Sequence, residues 1–61
     1  MAKTIRKNHI METLYSIREN LENTAKALDE NNLDQVRTEN TSAQKNTRYL
    51  ITLVDQATTI L

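Results

Sequence analysis

Neither glycine nor proline occurs anywhere in the 61 residues of this chain, and that absence narrows the accessible folds more than any other feature. Tight turns, sheet hairpins and phosphate-cradling loops rely on the positive φ that glycine tolerates or on the fixed φ of proline. A β architecture of this length would need several such turns. The abundance of Lys, Arg, Glu, Gln, Leu and Ala favours helix instead, so the fold class is read as all-α with very few interruptions.

Residues that tolerate a turn are concentrated in Asp29-Glu30-Asn31-Asn32, and the break is placed there. Asn31 can take the left-handed conformation that ends a helix where glycine is missing. Asn32 can cap the next helix, with Gln35 as the return partner of a capping box and Asp34 well placed in the first turn. Helix 1 is expected over about residues 5–30 if Thr4 caps it, or 9–30 if Asn8 does. The later start is preferred, because Lys and Arg in a first turn oppose the helix dipole. Helix 2 is expected over about residues 33–60.

Each segment carries a heptad stripe. In the first, Ile10, Leu14, Ile17, Leu21, Thr24 and Leu28 alternate steps of four and three along one helix face, widened by Met11 and Ala25. In the second, Leu33, Val36, Asn40, Ala43, Thr47, Leu50, Val54, Ala57 and Leu61 do the same. A break this short makes the two helices an antiparallel hairpin, in which residues whose numbers sum to about 62 to 64 lie level. Residues 1–61 form a single helical-hairpin domain in this reading, with residues 1–8 as a basic arm free to move.

Composition then argues for association. The chain is 38% hydrophobic, with two tyrosines and no tryptophan, phenylalanine or cysteine. A domain this small needs a disulfide, a metal, unusually good helix packing or a partner chain. Cysteine is absent, and the lone His9 has no second histidine to make a ligand pair, so no metal and no cofactor is expected. That leaves a homo-oligomeric helical bundle of coiled-coil character, of which a four-helix dimer is the simplest form, or a different protein as partner. The expected contact set is Ile10, Met11, Leu14, Leu50, Ile51, Leu53, Val54, Ala57, Ile60 and Leu61, densest at the open end of the hairpin. Polar stripe residues Thr24, Asn40 and Thr47 are expected to set register and oligomer state.

Function follows from these surfaces. The leading expectation is a non-enzymatic adaptor, regulator or inhibitor that binds another protein through an apolar helical face. An alternative is an oligomer that binds or sequesters a small anionic ligand such as a nucleotide. Its contacts would be Tyr15, Arg18, Lys45, Arg48 and Tyr49, brought level by the hairpin, where aromatic faces beside cations suit a planar anion. A third class is a structured-RNA-binding hairpin dimer using basic helix faces; Lys3, Arg6, Lys7 and His9 at the amino terminus could contact phosphate or an acidic partner. A net charge of zero does not favour general nucleic-acid binding.

Catalysis is not expected. There is no nucleophile elbow, phosphate loop or metal-ligand spacing, and Ser16 and Ser42 have no base nearby in sequence. No apolar run is long enough for a membrane span. Met1-Ala2-Lys3 is not followed by the apolar core of a secretory signal, so a cytoplasmic protein is the expectation. Membrane-surface binding is disfavoured by the lack of a Trp or Phe anchor.

Overall fold

A computed structural model of the chain describes residues 3–61. Two long helices, α1 (Lys7–Asp29) and α2 (Leu33–Gln56), pack as an antiparallel hairpin. Two short extended segments, β1 (Thr4–Ile5) and β2 (Thr59–Ile60), join the open end as a parallel pair with Thr4 level with Thr59 and Ile5 with Ile60. Helix content makes the fold all-α, and the extents of 47 × 16 × 9 Å are those of a layer one helix thick.

The turn forms where the sequence places it, and its chemistry is visible bond by bond. Asn31 sits in the left-handed region at φ 55°. Its N–H donates to Leu28 O at 3.1 Å and that of Asn32 to Ala27 O at 2.8 Å, the paired bonds of a Schellman motif that satisfy orphan carbonyls at the end of α1. Lys26 in the last turn complements the dipole. Asn32 then caps α2, its Oδ1 accepting the Gln35 N–H at 3.1 Å, with Asp34 in the first turn. The capping box is not reciprocal, because the Asn32 N–H is already committed to Ala27. The Gln35 amide turns instead to Glu39, donating at 2.9 Å.

The outer ends differ from expectation. Helix α1 begins after Arg6, whose side chain makes no capping bond, rather than after Thr4 or Asn8. A backbone group from the far end of the chain takes the capping role, since Leu61 O accepts the Lys7 N–H at 2.6 Å. Helix α2 ends at Gln56 instead of reaching about residue 60. Thr58, Thr59 and Ile60 are consecutive β-branched residues that fit an extended chain better than a helix. Asp55 stands in the last turn, where no basic residue complements the dipole.

The segment after α2 folds back along β1. Thr58 N–H donates to Lys3 O at 2.8 Å, Leu61 N–H to Ile5 O at 2.9 Å, and Lys3 Nζ to Gln56 Oε1 at 2.9 Å. Ile5 is buried by this clasp. The mobile arm expected over residues 1–8 falls partly on residues 1–2, outside the described residues; Lys3, Thr4 and Ile5 bond to the carboxyl-terminal segment, and Lys7 and Asn8 belong to α1.

The seam between the helices is the main surprise. The seam is formed by the half-buried or buried positions Ile10, Thr13, Ile17, Asn20, Thr24 and Ala27 on α1 and Val36, Glu39, Ala43, Asn46, Leu50 and Leu53 on α2, with half-buried His9 and Ser42 at its polar edge. This is a heptad seam, but its middle is polar. Asn20 donates to Glu39 Oε2 at 3.0 Å and accepts from Asn46 Nδ2 at 2.8 Å, tying the helices in register. Thr13 is buried and Thr24 half-buried, and each hydroxyl donates to the carbonyl four residues back. Among the described residues, no large side chain is fully buried.

Candidate functional site

Since the seam uses Thr13, Asn20 and Ala27, the leucines beside them turn away from it. At about 100° per residue, Leu14, Leu21 and Leu28 lie one position further round α1, while Leu33, Asn40, Thr47 and Val54 lie correspondingly round α2. The helices run in opposite directions with the same hand, so this rotation carries both sets to the same side of the hairpin. Leu21 and Leu28 are each 60% exposed, Leu33 57% and Val54 50%. The hairpin therefore has one face that is apolar along α1 and at both ends of α2, with Asn40 and Thr47 in the middle of α2. A hollow at the turn end is lined by Leu28, Leu33 and Val36, and another at the open end by Ile5, Ile10, Val54, Ala57 and Ile60.

The contact residues expected from the sequence divide accordingly. Leu14, Ile51, Val54, Ile60, Leu61 and, to a smaller extent, Met11 are exposed, whereas Ile10, Leu50, Leu53 and Ala57 are half-covered by the neighbouring helix or the clasp. Leu21, Leu28 and Leu33 belong to the face but were expected inside the hairpin or at its turn. The signal that could have found them is the polar set Asn20, Glu39 and Asn46, whose numbers place them near one level and whose side chains can satisfy one another.

The opposite face is polar. Ser16, Glu19, Asn23, Ser42 and Lys45 border a groove whose floor includes the Asn20, Glu39 and Asn46 cluster. Near the open end of this face, His9 Nε2 lies 2.8 Å from the Tyr49 hydroxyl with the rings edge to face, centroids 5.8 Å apart.

The five residues expected to hold an anionic ligand are dispersed by helix rotation. Tyr49 engages His9 on the polar face, and Lys45 borders the groove there beside Glu19 and Glu39. Arg18 Nε pairs with Glu22 Oε1 on its own helix at 2.9 Å. Tyr15 and Arg48 are exposed and point to the outer sides of their respective helices by the same rotation. Being level along the hairpin does not bring these groups into one pocket. The Ser16 hydroxyl donates to Glu12 O at 3.2 Å.

Among the described residues there is no cluster of three metal-ligating side chains, and no helix is long and apolar enough to cross a membrane. Comparison of the chain with protein-family models, with curated proteins and with solved structures finds no match.

Proposed function

We propose that this chain is a non-enzymatic interaction module, an adaptor, regulator or inhibitor that acts by laying its apolar face on a protein surface and completing a helical bundle there. One observation carries the reading: the apolar side chains of a layer one helix thick are gathered on one side, with Leu21, Leu28 and Leu33 each more than half exposed. Domains ordinarily bury such a face between two packed layers. Each large aliphatic side chain removed from water contributes about 1.5–3 kcal/mol, so covering this row matters greatly to a chain of marginal stability. The polar reverse face stays in water and distinguishes the module from a helix pair buried on all sides.

The test is a photo-crosslinking amino acid placed at Leu21 on the apolar face or at Ser16 on the polar face, activated in the native host. Discrete protein adducts are expected from position 21, whether to another copy or to a different protein, and none from position 16. Adducts confined to position 16 would refute the assignment of the face.

A further inference from the structure

We infer that the occupant of the apolar face is a second copy of this chain, seated face to face about a two-fold axis that crosses the rods at right angles. This rests on the interaction reading above and names the partner and its geometry. Surface area gives the first indication. A compact monomer of 7.1 kDa is expected to expose about 4,100 Å² from the scaling of surface with mass, whereas this chain exposes 4980 Å². The surplus of about 900 Å² is the size of one partner's share of a standard interface, about 800 Å².

The pattern of the face selects the partner. On α2 it reads Leu33, Asn40, Thr47 and Val54 at intervals of seven, apolar at both ends and polar in the middle. Reversed against itself about the level of residues 43 and 44, it places Leu33 opposite Val54 and Asn40 opposite Thr47. The Asn40 carboxamide then donates to the Thr47 hydroxyl of the other copy, twice by symmetry. On α1 the face is uniformly apolar, with Leu14, Leu21 and Leu28 centred on Leu21. The turn, with α1 ending at Asp29 and α2 starting at Leu33, makes residues level when their numbers sum to about 62, so Leu21 stands level with residue 41, within one helical turn of the α2 centre. The α2 pattern therefore sets the axis, the apolar α1 face accepts it because aliphatic burial is indifferent to register, and the face is complementary to itself, as a two-fold interface requires.

The alternatives leave polar groups stranded. A two-fold axis parallel to the rods would lay α1 of one copy over α2 of the other, setting Asn40 against Leu21 and Thr47 against Leu14. A uniformly apolar surface on an unrelated protein would do the same. Burying an amide or hydroxyl without a partner is costly, and only the crossed axis gives each polar residue on the face a polar counterpart.

The chain contains no cysteine, so single cysteines report neighbours cleanly. Asn40→Cys protein mixed with Thr47→Cys protein under mild oxidation is expected to give mainly the mixed disulfide, and the unmodified chain is expected to sediment at twice its monomer mass with helical circular dichroism. A preferred Leu21→Cys to Asn40→Cys bridge would overturn the crossed axis while leaving the interaction reading intact. A helical monomer at micromolar concentration, with no bridge, would overturn self-association. That outcome is separable from failure of the interaction reading, because adducts to a different protein at position 21 would still be observed in the host.

Discussion

The seam that joins the two helices and the face they leave open mix polar and apolar residues in different ways. The seam centres on Asn20, Glu39 and Asn46 held by hydrogen bonds, whereas the open face presents Leu14, Leu21, Leu28 and Leu33. Polar bonds of this kind fix register but contribute only about 1 kcal/mol each, net of water. Aliphatic burial contributes more and is indifferent to register. The division teaches that register is specified inside the hairpin and that a large share of the available stabilisation lies outside it, in whatever covers the face.

The comparison breaks most readily at the centre of the open face. Leu21→Asp places a carboxylate where burial is expected, and an unpartnered buried charge costs several kcal/mol. Association should fall by at least about 100-fold, equivalent to roughly 2.7 kcal/mol. Ser16→Asp, on the polar face, should leave sedimentation unchanged. Equal effects from the two substitutions would erase the distinction between the faces.

Next in size is the seam itself. Asn20→Ala removes the group that bridges Glu39 and Asn46, and a loss of about 1–3 kcal/mol in urea unfolding is expected, as for other polar groups left without a partner. No change in midpoint would mean that the bridge does not set the register. The turn should respond a little less. Asn31→Val forces a β-branched residue to φ 55° at about 1–2 kcal/mol, while Asn31→Gly should not destabilise. Asn32→Ala, which removes the α2 cap, is expected to cost about 1 kcal/mol. At the small end, Glu22→Gln disrupts only the exposed pair with Arg18, and a shift within about 0.5 kcal/mol is expected.

These effects also mark what the sequence could reveal. The hairpin, its turn and the roles of Asn31 and Asn32 were legible because turn chemistry is local and the absence of glycine and proline left few other places for a break. The periodicity was legible too, but not which edge of the stripe faces inward. Thr13 and Asn20 compete with Leu14 and Leu21 for the seam one position away, and a hydropathy pattern cannot credit the bonds among Asn20, Glu39 and Asn46. The end of α2 was less legible, because Thr59 and Ile60 pair with Thr4 and Ile5, which are distant in sequence, although three successive β-branched residues mark the spot locally. Level along the rods does not place the anion contacts together, because rotation about each helix axis separates Tyr15 from Tyr49.

Dilution tests the central claim most directly. Helix content followed by circular dichroism during heating, across a concentration series of the unmodified chain, should show a melting midpoint that climbs with concentration, because covering the face is coupled to folding. A midpoint independent of concentration, from a chain that sediments as a monomer throughout, would contradict the account.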